Sequence, residues 1–136
     1  KEHAERDILA MKNTPTGKGA MANKVFYPKK INGEKVKGFH NTYKRLCWDA
    51  PCHARTTKSG EISSHNNVHP GRLQADGAYS DARVLSMLEL LIVASLPLDW
   101  NIPEWASDRF IRHAIGESVP PLLMKNVFKT LEELAP

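Results

Sequence analysis

A strong helical period of apolar residues begins near Asp81. Between Val84 and Ile92, residues at i, i+1, i+4, i+7 and i+8 form the stripe of an amphipathic helix. The side chain of Ser80 or Asp81 can cap the first turn, and Pro97 cannot continue the helix. The pattern therefore predicts one helix that starts at about Asp81 and stops before Pro97.

Two more helices are predicted after this one. The sequence 101–103 ends in a proline, which is well tolerated in the first turn of a helix. Ser118 is expected to cap a third helix that holds Pro120 and Pro121 in its first turn. The apolar positions of these two helices are Trp105, Phe110, Ile111, Ala114, Leu122, Leu123, Val127, Leu131 and Leu134.

The first part of the chain has short and irregular elements. A short helix is predicted over residues 2–12, and two short strands over Val25–Tyr27 and Lys35–Phe39. Asn32-Gly33 is a typical hairpin turn between such strands. Residues 40–80 show no clean period and are rich in turn-forming residues, which indicates loops with short strands.

The net charge also differs between the first part of the chain and the rest. The chain has 136 residues, enough for one domain or for a piece of a larger protein. Residues 1–45 hold eleven lysines and arginines against four acids, a net charge of +7, whereas the remainder carries −3. A basic, irregular segment suits a polyanion surface such as DNA. A solvated segment whose lysines only keep the chain soluble has the same pattern.

The expected cellular location follows from the lack of a membrane helix and of a signal peptide in the sequence. Val84–Leu98, its longest mostly apolar stretch, is shorter than a membrane helix, and the first residues contain no signal-peptide core. We therefore expect a cytoplasmic protein without a membrane partner, whose two cysteines are reduced. Because position 1 is not methionine, the chain is expected to come from a longer one.

Two chemical motifs suggest sites that the context argues against. Cys47, Cys52, His65 and His69 have the spacing of a zinc finger, but glycine, serine, asparagine and proline crowd the stretch that would have to be helical. Pro51-Cys52 can carry a nucleophilic cysteine, yet no suitable base or cofactor loop lies nearby. We expect no metal and no catalytic residue in this chain.

Several segments, taken in order, resemble the C-terminal part of bacterial and phage DNA (cytosine-5) methyltransferases. Tyr43–Thr57 is similar to the family's ninth motif, in which an Arg and a Trp precede Pro-x-Pro-Thr-Ile-Thr; Arg45, Trp48 and Pro51 match it. Here His53, Ala54 and Arg55 stand where the family has Pro, Thr and Ile.

The resemblance continues downstream and covers roughly residues 11–133. Ile62–Gly71 is similar to a His-Pro stretch, and Asp81–Trp100 to the run R-x-L-T-x-R-E … F-P-x-x-W. Ile111–Pro121 resembles the tenth motif, Ile-Gly-Asn-x-Val-Pro-Pro, with Glu117 in place of the Asn. Several motifs in the family's order make the resemblance specific.

The resemblance implies an α+β fragment: a basic β/loop recognition portion followed by three helices, the last returning to a Rossmann-like domain that is absent here. Residues 1–80 would be part of the small domain that recognises the DNA target, 81–110 hinge helices, and 111–136 a C-terminal helix of the domain that binds S-adenosylmethionine. The family's catalytic Pro-Cys motif, assisting Glu and glycine-rich cofactor loop lie upstream in its chain and are absent here. The chain alone is therefore expected to be inactive.

The same resemblance assigns candidate site residues. Gly116, Glu117, Ser118 and Val119 would complete the pocket for S-adenosylmethionine, shared with the missing N-terminal domain. Gly116 would permit close approach, and Ser118 and the next helix N-terminus would offer donors to a carboxylate. Arg45 and Trp48 would help to organise the recognition domain. Contacts with double-stranded DNA are expected from basic residues and from a polar loop, namely Lys29, Lys30, Lys35, Lys37, Lys44, Arg45, Ser64, His65, Asn66, Asn67 and His69.

These expectations favour one function and leave two alternatives open. The leading hypothesis is the C-terminal portion, or a separately encoded subunit, of a cytosine-5 DNA methyltransferase of a restriction-modification system. It would act on a cytosine flipped out of the duplex, together with an N-terminal catalytic domain or subunit. The alternatives are a non-catalytic DNA-binding module, with or without zinc, and a degenerate methylase remnant without activity.

Overall fold

The computed structural model describes residues 3–36, 43–59 and 68–135. Regular secondary structure in these ranges is helical, and the β-structure consists of isolated bridges rather than longer strands. The helices are α1 (Glu5–Lys12), α2 (Met87–Val93), α3 (Asp108–Glu117) and α4 (Pro121–Leu134), and Ala20–Ala22 forms one 3₁₀ turn. The predicted helix over residues 2–12 is confirmed as α1.

Helix α2 begins later than the apolar pattern predicts. Its N-cap is Ser86, whose side chain accepts a hydrogen bond from the backbone N–H of Glu89, while the Glu89 carboxylate accepts the N–H of Ser86. This reciprocal pair is a capping box. The expected cap at Ser80 or Asp81 was wrong, because Val84 pairs with Val68 in an antiparallel bridge and is held extended. The helix ends at Val93, before Pro97.

The next two helices are present with different boundaries. Helix α3 starts at Asp108 rather than at residues 101–103, because Ser107 caps it by accepting the N–H of Phe110. Ser118 does not cap α4: it ends α3, and its hydroxyl donates to the carbonyl of Ile115. The prolines do occupy the start of α4, which has no side-chain cap.

Four extended residues form a row across the first part of the chain. Thr16 pairs with Arg45 and Arg45 with Val68 in parallel bridges, and Val68 pairs with Val84 in an antiparallel one. The row brings together segments that are far apart in sequence. It places the resembled ninth motif between the N-terminal segment and the stretch that leads into α2.

Two hairpins project beside this row. Lys29 pairs with Lys35, and Leu73 pairs with Tyr79. The turn predicted at Asn32-Gly33 is confirmed, but the strand predicted at Val25–Tyr27 was wrong, because the chain bends there and the Asn23 side chain accepts the N–H groups of Val25 and Phe26. The predicted partner Lys35–Phe39 extends beyond the described residues.

The aliphatic core lies between α2, α3 and the ninth-motif segment. Its buried members are Leu46, Leu85, Leu90, Leu91, Ala94 and Ile115. Arg112 ties α3 to this centre, since its guanidinium donates to the carbonyl of Leu85 at 3.0 Å and to Asp108 at 2.8 Å. Helix α4 contributes no buried residue.

The predicted fold class is therefore met in part. Three helices do follow an irregular portion, but the β-structure of the described residues amounts to single bridges, and these residues contain no Rossmann-type sheet. Within the same residues, no helix is both long and apolar enough to cross a membrane.

Candidate functional site

The hairpin 29–35 brings three of the predicted DNA-binding lysines together. Lys29 and Lys35 face each other across the bridge, and both ammonium groups lie over the ring of Tyr27, at 5.1 Å and 4.9 Å from its centre. Lys30 forms an exposed ion pair with Glu34 at 3.1 Å. The hairpin is thus a cationic projection with one acid. Tyr27 was missed by the sequence reasoning, which treated it only as a strand residue.

Arg45 does not lie on this basic surface. Its side chain is fully buried, and its guanidinium donates to the backbone carbonyls of Thr14, His69, Pro70 and Met11. The guanidinium also stacks 4.1 Å from the ring centre of Tyr79. Burial lowers the pKa of Arg45 to about 10, so the group remains charged at neutral pH. The predicted DNA contact does not fit this position: Arg45 joins the segment 11–14 to the segment 69–70.

Lys44, next to it, is half-buried, and its carbonyl accepts the N–H of Val68. The remaining predicted contacts in this part of the chain, Lys37, Ser64, His65, Asn66 and Asn67, lie outside the described residues.

His69 is also buried, and both of its ring nitrogens contact protein groups. Nδ1 accepts the N–H of Gly71 at 3.1 Å, and Nε2 lies 3.3 Å from the Glu89 carboxylate. The ring meets Trp48 edge-on, with the centres 5.6 Å apart. Burial, then the positive charge of Arg83, lowers the pKa of His69, which favours the neutral ring. The predicted DNA contact of His69 is therefore not favoured by its position.

Glu89 is the acceptor at the centre of a cluster that the sequence reasoning did not identify. Arg83 donates two hydrogen bonds to it, at 2.7 Å and 2.9 Å, and the N–H of Ser86 donates a third. The Arg83 hydrogen bonds lower the pKa of Glu89 to about 2. The spacing of Ser86 and Glu89 is a capping-box signature and could have identified this cluster.

A groove of about 470 Å³ opens beside this cluster. Trp48, which is mostly exposed, forms part of its wall, and its indole N–H donates to the carbonyl of Gly71 at 2.7 Å. The rest of the lining is mainly apolar: Leu46, Cys47, Ala50, Cys52, His69, Pro70, Leu85, Glu89, Ile92 and Val93.

The two cysteines of the zinc-like pattern share this groove. Burial raises the pKa of the Cys52 thiol, which disfavours a reactive thiolate. No group of three or more histidine, cysteine or acidic side chains is placed to hold a metal in the described part of the chain, and His65 lies outside that part.

Gly116 makes its close approach to protein. A Cβ at this position would lie 2.5 Å from the carbonyl group of Thr56 and from the backbone nitrogen of Thr57. Helix α3 therefore crosses the ninth-motif backbone with no room for a side chain between them. The close approach expected toward a cofactor is instead a junction between the resembled ninth and tenth motifs.

The other three predicted cofactor residues differ in exposure and in the polar groups that they leave accessible. Glu117 is exposed, with a carboxylate oxygen 3.3 Å from His113, and Val119 is also exposed. Ser118 donates its hydroxyl to Ile115. The start of α4 has two prolines without N–H groups, and the first N–H, that of Leu122, donates to Ser95. The carboxylate site expected at Ser118 and this helix N-terminus stays a prediction, and in this structure its donors are bonded within the protein or missing.

Helix α4 carries an exposed apolar stripe. Spacing along the helix places Leu123, Met124, Val127, Phe128, Leu131 and Leu134 on one side, and only Met124 is even half-buried. The hydrogen bond from Leu122 to Ser95 joins the beginning of the helix to the segment after α2. A stripe of this size is typical of a surface that another protein segment covers.

A second groove, of about 460 Å³, separates α1 from the base of the basic hairpin. Its walls carry Arg6 and Lys29 beside Leu9, Phe26, Tyr27 and Tyr43. The Tyr43 hydroxyl donates to Asp7 at 3.0 Å, and burial together with this bond raises the pKa of Tyr43 to about 12. Tyr43 therefore keeps its proton and fixes the groove's inner wall.

A family model and known relatives match this chain, and the matches extend over nearly its whole length. A sequence model of the family described as C-5 cytosine-specific DNA methylase matches residues 1–133. The chain is 52% identical over 129 residues to the Type II methyltransferase M1.HgaI of Avibacterium volantium, covering 95% of this chain and 36% of the relative. It is 32% identical over 96 residues to the Type II methyltransferase M.AgeI of Thalassovita gelatinovora, covering 71% of this chain and 20% of the relative.

The matched region makes up a larger share of a third relative than of these two. The Type II methyltransferase M.AquIB of Picosynechococcus sp. is 30% identical over 109 residues, which cover 74% of this chain and 69% of the relative. The chain thus spans about a third of M1.HgaI and a fifth of M.AgeI, but more than two thirds of M.AquIB. No solved structure matches the chain.

Proposed function

Because this chain belongs to the C-5 cytosine-specific DNA methylase family, we propose that it is the DNA-recognition and C-terminal portion of a type II DNA (cytosine-5) methyltransferase of a restriction-modification system. The observation that carries the proposal is the family match over residues 1–133. In this proposal, residues 1–80 belong to the recognition domain, 81–110 are the hinge, and 111–136 return to the cofactor domain. The whole enzyme would work in the cytoplasm.

The contact between Thr56 and Gly116 supports this arrangement. It joins the segment that resembles the ninth motif to the helix that begins the tenth, with backbone against backbone. A rigid junction at this place would hold the recognition surface at a fixed distance from the cofactor side. Positioning of this kind is what a transfer reaction between two bound molecules requires.

DNA binding is proposed for the basic hairpin and for the other basic and polar residues that the sequence predicts as contacts. Lys29, Lys30 and Lys35 are presented together on the hairpin, and cations on a projecting surface attract phosphates. We retain Lys37, Lys44 and the residues 64–67 as proposed contacts. Arg45 and His69 are proposed to shape the recognition portion from inside, since their side chains are buried.

The cofactor of the proposed enzyme is S-adenosylmethionine, which supplies the methyl group when it is bound. The segment Gly116–Val119 fits it only in part: the exposed Glu117 carboxylate can accept from an ammonium group, and exposed Val119 can pack against an apolar face. The donors that the cofactor's carboxylate needs are not supplied by Ser118 or by the start of α4. They would come from the catalytic portion.

The partner proposed for the apolar stripe of α4 is that catalytic portion. The relatives M1.HgaI and M.AgeI extend far beyond the matched region, so a large part of such an enzyme has no counterpart in this chain. M.AquIB is itself short, which supports the possibility that this portion is a separate subunit. The chain alone would then transfer no methyl groups.

Complementation tests the proposal. The chain is mixed with the part of M1.HgaI outside the matched region, and transfer of a tritiated methyl group from S-adenosylmethionine to cytosine in duplex DNA is measured. We expect transfer from the mixture and none from either part alone. Transfer by this chain alone would contradict the division of roles. DNA binding without transfer in any mixture would favour the non-catalytic DNA-binding module.

A matched pair of variants tests the α4 contact in the same assay. Leu131→Asp places a charge on the apolar stripe and is expected to abolish complementation while DNA binding persists. Asn126→Asp adds the same charge on the other side of the helix and should leave complementation within about twofold of the unchanged chain. Equal losses in both variants would show that the stripe is not the contact surface.

A further inference from the structure

The two hairpins of the molecule have the same turn. In the first, the N–H of Lys30 donates to the carbonyl of Glu34 at 2.8 Å; in the second, the N–H of Gln74 donates to Ala78 at the same distance. Each closes a three-residue loop that ends in a glycine with a positive φ, 82° at Gly33 and 77° at Gly77. Both loops therefore have the geometry of a three-residue hairpin loop ending in a left-handed glycine.

The side chains that the two turns present are different. The first turn places Ile31, fully exposed, at its tip, with Lys29 and Lys30 on one strand and Lys35 on the other. The second turn has Ala75 in the place of Ile31 and Asp76 in the place of Asn32. Identical turns show that neither tip residue is required by the backbone. The fully exposed Ile31 side chain is therefore free to contact another molecule.

The base of the basic hairpin is fixed to the body of the protein. The ammonium group of Lys35 donates to the carbonyl of Met21 at 3.0 Å. Within the hairpin, the N–H of Val36 donates to the carbonyl of Pro28 at 3.2 Å and joins the two strands at their base. The ring of Tyr27 lies against the ammonium groups of both Lys29 and Lys35. The tip residue of the hairpin thus anchored, Ile31, is fully exposed.

We propose that this hairpin enters the major groove of DNA and that Ile31 contacts the 5-methyl group of a thymine in the target sequence. The proposal deepens the function proposed above and rests on it. The major groove admits a two-stranded ribbon, and Lys29 and Lys30 on one strand of the hairpin can reach phosphates along its edge. The thymine methyl is the apolar group that ordinary base pairs present in this groove. An exposed aliphatic tip between lysines matches that pattern.

The test replaces the thymine methyl group with hydrogen. Duplexes are first selected from a random-sequence pool by the chain mixed with the complementary part of M1.HgaI. The selected pool is then copied once with thymidine and once with deoxyuridine, and the affinity of the same mixture for each copy is measured by competition. We expect binding to the thymidine copy to be about threefold to tenfold tighter.

Three variants decide whether Ile31 makes the contact. Ile31→Ala should remove the preference for thymidine, and Ile31→Val, which keeps two methyl groups, should retain part of it. Leu73→Ala, which shortens an exposed aliphatic residue on the second hairpin, should keep the preference unchanged. Ile31 is a fully exposed turn residue, so its substitutions leave the fold intact; melting temperatures of the variants verify this.

Each other outcome overturns the inference. Equal affinity of the unchanged protein for both copies, or a preference that survives in Ile31→Ala, would mean that Ile31 does not contact thymine while DNA binding itself stands. If neither the mixture nor the chain alone binds any duplex, DNA recognition by this chain is excluded, and the function proposed above fails with it.

Discussion

The two parts of the molecule are held together in opposite ways. The described part of the chain before α2 is centred on one buried cation, Arg45, whose guanidinium bonds to four backbone carbonyls from two separate segments. The helical portion is centred on aliphatic side chains between α2 and α3, with Leu90 and Ile115 almost without exposure. Directional hydrogen bonds fix irregular backbone in one arrangement, whereas close packing stabilises regular helices.

The difference follows from what each segment contains. The first part of the chain is poor in aliphatic residues and cannot bury enough apolar surface to order itself. A single guanidinium with five donors can instead satisfy several carbonyls that no sheet ladder pairs. The two centres touch where His69 meets Glu89, and again where Gly116 meets Thr56.

The largest effect is expected from removing the polar centre. Arg45→Met keeps much of the side-chain volume but leaves buried carbonyls without donors, so the free energy of unfolding should fall by about 3–5 kcal/mol. Urea unfolding followed by tryptophan fluorescence measures it. Arg45→Lys, with one charged group in place of the fork, should recover less than half of the loss. A loss below about 1 kcal/mol would show that the centre is not required.

Truncation of the apolar centre should cost somewhat less. Leu90→Ala leaves a cavity among α2, α3 and Leu46, and we expect a loss of about 2–4 kcal/mol in the same unfolding assay. Leu88→Ala, on the same helix but more than half exposed, is the control and should change stability by less than about 1 kcal/mol. The comparison between the two parts breaks down if Leu90→Ala is more damaging than Arg45→Met.

The junction between the parts is tested at Gly116. Gly116→Ala would place a methyl group 2.5 Å from the backbone of Thr56 and Thr57, and backbone must move to accept it. We expect a loss of about 1–3 kcal/mol in the unfolding assay and a greater proportional loss of complemented methyl transfer. Glu117→Ala, one residue along the same helix, should stay within about 0.5 kcal/mol. A neutral Gly116→Ala would mean that the two segments are not in contact.

The smallest effect concerns the acidic group where the two centres meet. The pKa of Glu89 is lowered to about 2 by its bonds with Arg83, so the stabilisation it provides is present above about pH 4.5 and is lost as the pH falls toward 2. Glu89→Gln should therefore be less stable at neutral pH by about 1 kcal/mol, after allowance for solvent screening, and the difference should vanish at low pH. Unfolding free energies across that range measure this, with Glu117→Gln as the exposed control. Parallel pH profiles for Glu89→Gln and the unchanged chain would exclude the effect.

Local pattern was enough to predict helices and turns, but contacts between distant segments decided their limits. The three helices after Asp81 and the turn at Asn32-Gly33 are present as expected. The start of α2 shifted because Val84 pairs with Val68, a contact that periodicity within the helix cannot reveal. The capping-box pattern of Ser86 and Glu89 was present in the sequence, and it predicts the start of α2 better than the apolar period does.

The candidate site was predictable in its chemistry more than in its geometry. The lysines of the hairpin do lie together, because a short turn fixes their spacing. Arg45 and Gly116 were identified as important residues, but their partners lie far away in sequence, so burial and close approach to protein could not be inferred. The Arg83–Glu89–His69 cluster was missed for the same reason.

Arg45 bonds only to main-chain oxygen atoms at Met11, Thr14, His69 and Pro70. Every residue type carries such an oxygen, so these bonds depend on the course of the backbone and not on the chemical type of the side chains at these positions. Exposed residues can therefore change in sequence while the bonds of the centre stay the same, as long as this backbone keeps its course. The same arginine would then support the same backbone in proteins whose exposed surfaces differ.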